Sequence, residues 1–216
     1  MALRIPRREH LFETGASDPV GSYFGLWAPL MRRRLAMVVS LMGQRRYRAV
    51  LELGYGSGIL LNELTARADG TVTGVDSHAR ADLVRQTLAL EGITRPVTLL
   101  KGDVTRLELA SASYDLVVAV SLLEHIPPRN LGAVVAEIAR IAAPDADIVV
   151  GFPTKNFLMK GIAWLYRWDY DREHPSSEVD VLAALDARLV RRELKLFPAA
   201  TWPFKPLYVA ARFGLG

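Results

Sequence analysis

Apolar residues along the chain follow two periods in alternation, and that alternation predicts an α/β fold. Strand-length apolar runs stand at Ala49–Leu53, Thr71–Val75, Val97–Leu100 and Ile148–Gly151. Tyr114–Val120 (YDLVVAV) reads as one continuous run, which suits a strand buried on both faces. Helical spacing fills the gaps at Gly58–Ala68, His78–Leu90 and Leu131–Ala142, the last closed by Pro144. Such a βαβα rhythm implies a parallel sheet with helices on both sides. Upstream, Tyr23 to Met42 reads as a helix, with Tyr23, Trp27 and Met31 recurring every four residues and arginines on another face. Residues 1–20 are polar and irregular and read as an arm.

Past Gly151 the rhythm breaks. Phe152–Pro175 is rich in aromatics (Phe157, Trp164, Tyr166, Trp168, Tyr170) and reads as an insertion. A helix is expected at Val179–Ala187, then strands at Val190–Phe197 and Leu207–Phe213 with WPFKP turning between them. No repeat or low-complexity tract interrupts this order. One domain over 1–216 accounts for the length: arm and helix to 45, a core over 46–151, an inserted lid over 152–178, and a C-terminal helix and strands from 179.

Composition narrows the chemistry. The chain has no cysteine, so disulfides, thiolate metal sites and cysteine nucleophiles are excluded. Neither a signal peptide nor a spanning apolar stretch is legible, and a cytoplasmic location is expected. The net charge is only +4, but arginines cluster at 32–34, at 45, 46 and 48, and at 191–192. They read as solvated helix faces or as a surface for an anionic partner; no nucleic-acid-binding motif accompanies them.

The strongest local signal is Leu51-Glu52-Leu53-Gly54-Tyr55-Gly56-Ser57-Gly58, between a strand and a helix. Gly54 permits a tight turn, and Gly56 and Gly58 leave no Cβ between backbone and ligand. The spacing is GxGxG, with Glu52 two residues before the first glycine. An acid there repels a dinucleotide's pyrophosphate and attracts a ligand bearing an ammonium and a sulfonium. Asp76 ends the second strand about 20 residues past the loop, where an acid accepts from ribose hydroxyls; capping of the next helix is its alternative role. Asp103, in Lys101-Gly102-Asp103-Val104, ends the third strand, where a carboxylate can accept from an adenine amino group; a plain turn is the alternative.

Acids at the ends of three successive strands, with Ser113–Val118 and Ser121–Ile126 after them, together resemble the class I S-adenosylmethionine-dependent methyltransferases over Ala49–Gly151. The type-11, small-molecule branch is the nearest match. The resemblance implies a Rossmann-like three-layer sandwich whose seven-stranded, mostly parallel sheet has an antiparallel last strand. It also implies S-adenosyl-L-methionine as cofactor and S-adenosyl-L-homocysteine as product. Glu52, Gly54, Tyr55, Gly56 and Gly58 would hold the methionine part, Asp76 and Ser77 the ribose, and Asp103 with Val104 the adenine. Ser121 and Leu122 would line the methyl-donor side. Tyr55 departs from the family, which usually has a small residue there.

Methyl transfer needs alignment, plus a base where the acceptor must lose a proton. His125 and His174 are the candidates, each with a structural role as its alternative. Some relatives bind a metal through ExxEH; Ser121 replaces the first acid here, so no metal is expected. The expected partner is a small acceptor, apolar, aromatic or lipid-like, methylated on oxygen, with no nucleic acid and with peripheral membrane contact left open. Two other readings stay open: a non-catalytic S-adenosylmethionine-binding protein, and an NAD-dependent oxidoreductase, which leaves Glu52 and Asp103 unexplained.

Overall fold

A computed structural model describes residues 3–15, 20–77, 80–156, 169–198 and 205–216. Among these, seven strands form one sheet: β1 (Tyr47–Leu53), β2 (Ala68–Asp76), β3 (Val97–Lys101), β4 (Tyr114–Val120), β5 (Ala142–Pro153), β6 (Val190–Phe197) and β7 (Tyr208–Gly214). Their spatial order is β3-β2-β1-β4-β5-β7-β6. β1 to β5 pair in parallel, while β7 runs antiparallel to both β5 and β6. The expected sheet, with its antiparallel last strand, is present.

Helices cover both faces: α1 (Ala28–Val39), α2 (Leu61–Arg67), α3 (Ala81–Leu90), α4 (Pro128–Ile141), α5 (Tyr170–Glu173) and α6 (Glu178–Asp186). The central position of β4 explains its unbroken apolar run, because successive side chains enter opposite cores. Val117 and Ala119 join Leu51, Leu53, Ile148 and Val150 under α4 and α6. Leu116 and Val118 join Val50 and Val149 under α1, α2 and α3. Asp115, the polar member of the run, is buried and accepts the Arg48 and Ala49 N–H groups, both at 2.9 Å. It thereby fixes the entry of β1 against β4.

Several boundaries differ from the sequence expectation. The first helix starts at Ala28, with Pro29 in its first turn, and Val20–Tyr23 is a separate 3-10 turn. The buried stripe is Met31, Leu35 and Val38, and Trp27 at the helix entrance is 41% exposed. Proline has no N–H to continue a helix from upstream, so the four-residue recurrence from Tyr23 crosses a break. α4 likewise starts early, at Pro128, and β5 follows it without a loop. Ser177 caps α6: its Oγ accepts the Asp180 N–H and its own N–H donates to Asp180. Phe157, Trp164, Tyr166 and Trp168 of the expected lid, most of the expected WPFKP turn, and His78 lie outside the described residues.

The N-terminal arm is anchored by side chains far away in sequence. Glu91, just past α3, accepts the Arg7 N–H at 2.9 Å and meets His10 Nδ1 at 2.6 Å, while Thr87 donates to the His10 carbonyl. This path carries the chain to Thr14, whose hydroxyl lies 3.4 Å from that of Ser57.

Candidate functional site

The sheet order reverses between β1 and β4, and a crevice opens at the C-terminal ends of the strands there, as such sheets generally provide. A cavity of about 860 Å³ occupies it. Its floor is the turn after β1. Gly54 and Gly58 adopt left-handed backbone (φ +72° and +77°), and a Cβ at Gly58 would stand 2.6 Å from Val84 of α3. Gly58 therefore serves helix approach and does not line the cavity, whereas Gly54, Tyr55, Gly56 and Ser57 do.

Glu52, Asp76, Ser77, Asp103 and Val104 line the same cavity, so the ends of β1, β2 and β3 converge as expected. Asp76 also ties the floor down, since its Oδ2 accepts the Gly56 N–H at 2.9 Å. Glu52 is buried, and its Oε2 has no hydrogen-bond partner among the described residues. Burial, and after it the nearby Asp76 charge, push the Glu52 carboxyl well above the usual carboxylate range. Asp103 behaves oppositely: the Thr105 N–H and hydroxyl hold its carboxyl below that range, donating to Oδ1 at 2.8 and 2.7 Å.

Tyr55 has a local explanation. Its ring lies over Gly74 of β2, where a Cβ would come within 2.7 Å of Tyr55 Cδ1. The bulky loop residue is matched by an absent side chain beneath it. Burial and then Asp76 push the Tyr55 phenol up to about 12, so it stays protonated.

The fourth strand supplies the opposite wall. Ser121 has left-handed backbone (φ +51°), with its N–H on the Gly151 carbonyl at 2.7 Å. Its hydroxyl accepts from Arg34 of α1 at 2.7 Å, a link no local sequence pattern displays. Leu122 leans on the glycine turn, 3.1 Å from where a Gly54 Cβ would stand. His125 lines the cavity, and its Nδ1 donates to the Glu173 carbonyl at 2.7 Å, which leaves Nε2 as the acceptor nitrogen of the neutral ring. His174 is buried behind it and does not line the cavity; its ring centroid is 4.8 Å from that of His125 and 4.4 Å from that of Tyr170. Ser176 N–H and Oγ bond to the Glu124 and Ile126 carbonyls, which brings the segment after α5 to this wall. Ligand-capable atoms of Glu124, His125 and His174 lie within 4.8 Å of one another. Sequence reading missed that grouping, because His174 comes from a distant segment. It also missed Gly15, Tyr23, Leu35 and Ile59 as cavity lining.

The cavity lining thus combines carboxylates with apolar side chains. A buried carboxylate with an unpartnered oxygen suits a cation, and no lysine or arginine is positioned to hold a pyrophosphate over the glycine turn among the described lining residues apart from Lys101 at the β3 end. An ammonium- and sulfonium-bearing nucleoside fits both the donor set and the cofactor expected from the sequence.

Comparison with known proteins agrees. Residues 50–145 match the family model of a methyltransferase domain. The chain is 30% identical over 176 residues to the ubiquinone biosynthesis O-methyltransferase of Alkalilimnicola ehrlichii, covering 75% of this chain and 68% of the relative. It is 31% identical over 128 residues to the phosphatidylethanolamine N-methyltransferase of Cereibacter sphaeroides, 59% of each chain. Other curated relatives are matched over less, 40% and 44% of their lengths in two cases. The fold matches that of the N-methyltransferase NodS from Bradyrhizobium japonicum WM9, crystallised with S-adenosyl-L-homocysteine, at TM-score 0.68 and 16% identity over 94% of both chains. With the glycine turn, the strand-end acids and the sheet order in place, the chain belongs to the class I S-adenosylmethionine-dependent methyltransferases.

Proposed function

We propose that this protein methylates an oxygen of a small, apolar or aromatic acceptor of lipid-like character. The observation that carries this reading is that one cavity is lined both by the strand-end carboxylates and by apolar side chains, Tyr23, Leu35, Val120 and Ile126 among them, with His125 also in its lining. Ligand pockets generally fall between about 300 and 1,000 Å³, so this volume is large enough for a cofactor and part of a small acceptor. The names of the two curated relatives, one in quinone biosynthesis and one acting on a phospholipid, support a lipid-like acceptor.

S-adenosylmethionine, when bound, supplies an electrophilic methyl group. Glu52 and the Gly54–Gly56 turn would hold its methionine part, Asp76 and Ser77 the ribose, and Asp103 with Val104 the adenine. Gly58 supports this set by letting α3 approach. Ser121 and Leu122 would shape the wall where donor and acceptor meet. His125 Nε2 would accept the proton of the acceptor hydroxyl, whose oxygen would take the methyl group that the cofactor supplies. The Nδ1 bond to Glu173 holds the ring for that task, and His174 buttresses it from behind.

Asp76→Ala is expected to weaken cofactor binding by about 1–3 kcal/mol, from lost charge-assisted hydrogen bonds, and to release the Gly56 N–H as well. Unchanged affinity in that variant would remove the ribose assignment. The reaction itself is tested by labelled methyl transfer to a prenylated phenol and to phosphatidylethanolamine, with EDTA present. The proposal expects transfer to the phenol in chelator. Transfer to the amine alone would replace oxygen with nitrogen as the target, and a strict need for a divalent cation would make Glu124, His125 and His174 a metal site.

A further inference from the structure

The segment that leads into α1 presents an apolar tip set among cations. Leu26 is 89% exposed and Trp27 41%, although Tyr23 and Met31 on either side are buried. The outward turn is fixed by backbone bonds: Phe24 and Gly25 donate to the Gly21 carbonyl, and Ala28 donates to that of Gly25. Arg32 folds back onto this turn. Its Nε donates to the Tyr23 carbonyl at 3.0 Å, and its guanidinium stands 5.2 Å from the centroid of the Phe24 ring. Arg33 is exposed and lies 4.9 Å from the centroid of the Phe197 ring. No Asp or Glu occurs between Val20 and Leu51, so the segment carries no acidic residue of its own.

A protruding leucine and tryptophan, with Arg32 folded onto the same turn and exposed Arg33 one residue further along α1, are suited to a bilayer interface. The apolar side chains enter the headgroup–acyl boundary, a tryptophan ring rests at headgroup level, and the guanidinium groups meet anionic headgroups. Two side chains offer too little area for a protein–protein interface, which buries about 800 Å² per partner. Position adds a reason: Tyr23 and Leu35, on the same segment, line the cavity. A surface that received Leu26 and Trp27 would lie close to these two lining residues in the chain.

We propose that residues 24–33 dock this protein onto an anionic lipid surface, so that an apolar acceptor reaches the cavity from the bilayer. The delivery of the acceptor rests on the function proposed above; the docking does not. The test is co-sedimentation with vesicles of mixed phosphatidylglycerol and phosphatidylcholine, and with phosphatidylcholine alone. The wild-type protein should bind the mixed vesicles in a salt-sensitive manner and the neutral vesicles weakly. A Leu26→Asn/Trp27→Asn variant and an Arg32→Gln/Arg33→Gln variant should each lose about tenfold or more in partitioning. The Leu26/Trp27 variant should keep the wild-type melting temperature and affinity for S-adenosylhomocysteine. No binding to the mixed vesicles, equal binding to neutral ones, or wild-type binding by the Leu26/Trp27 variant would overturn the proposal. Self-association without vesicle binding, abolished by that variant, would overturn it in favour of a second copy of the chain. Vesicle binding without any affinity for S-adenosylhomocysteine would sustain docking and defeat the methyltransferase reading.

Discussion

His125→Ala should slow methyl transfer about 10²–10⁴-fold, the usual contribution of a positioned general base, while cofactor affinity stays close to wild type. The expectation follows from placement. His125 is on the cavity wall, its Nδ1 is committed to the Glu173 carbonyl, and Nε2 remains to take a proton. His174→Ala should act differently. That residue is buried against Tyr170 and His125, so its loss should lower the melting temperature and reduce turnover less. If His125→Ala turns over like wild type, alignment alone performs the reaction.

Glu52→Gln should weaken S-adenosylhomocysteine binding by about 1.5–3 kcal/mol, the value of a hydrogen bond to a charged group, yet leave the ligand-free protein more stable at neutral pH. Desolvation, then Asp76, raise the Glu52 carboxyl in the folded state. An unfolded glutamate ionises near pH 4.3, so above that value the unfolded chain holds fewer protons than the folded one. Stability therefore falls as pH rises through this window, and the cost is absent below it. Glutamine removes the cost, so the variant's advantage in melting temperature should appear at neutral pH and fade in acid. A cationic ligand offsets the same cost in the wild-type protein, which is why the unfavourable burial is tolerable. A glutamine variant that binds as tightly as wild type, or that melts lower at neutral pH, would show that Glu52 does not face the ligand's cation.

What could be read from the sequence is what short-range backbone chemistry sets. The glycine turn follows from Gly54, Gly56 and Gly58 between a strand and a helix. Asp76 and Asp103 were legible because strand ends in such a sheet point into one crevice. Contacts between remote segments were not legible. Nothing near Asp76 shows that it holds the Gly56 N–H, and nothing near Ser121 names Arg34 as its donor. His174 carries no local sign that its segment is stitched to Glu124 and Ile126. Tyr55 looked anomalous until Gly74 proved to lie beneath its ring. The stripe from Tyr23 misled because periodicity was counted across Pro29, where the helix begins.

The arm illustrates the same limit. Its polar, irregular sequence gave no reason to expect attachment, yet two carboxylates on other elements hold it: Glu91 binds Arg7 and His10, and Glu63 accepts the Arg4 N–H at 3.1 Å. That anchoring brings Gly15 to the cavity rim. A binding wall can thus be assembled from residues with no chemical signature of their own.

The central claim is that the acidic crevice binds S-adenosylmethionine and its product. Calorimetric titration of the wild-type protein with S-adenosylhomocysteine, with NADH as the control ligand, tests it most directly. Binding of S-adenosylhomocysteine, weakened in Glu52→Gln, with no heat from NADH, is the expected result. Binding of NADH with none of S-adenosylhomocysteine would contradict the account.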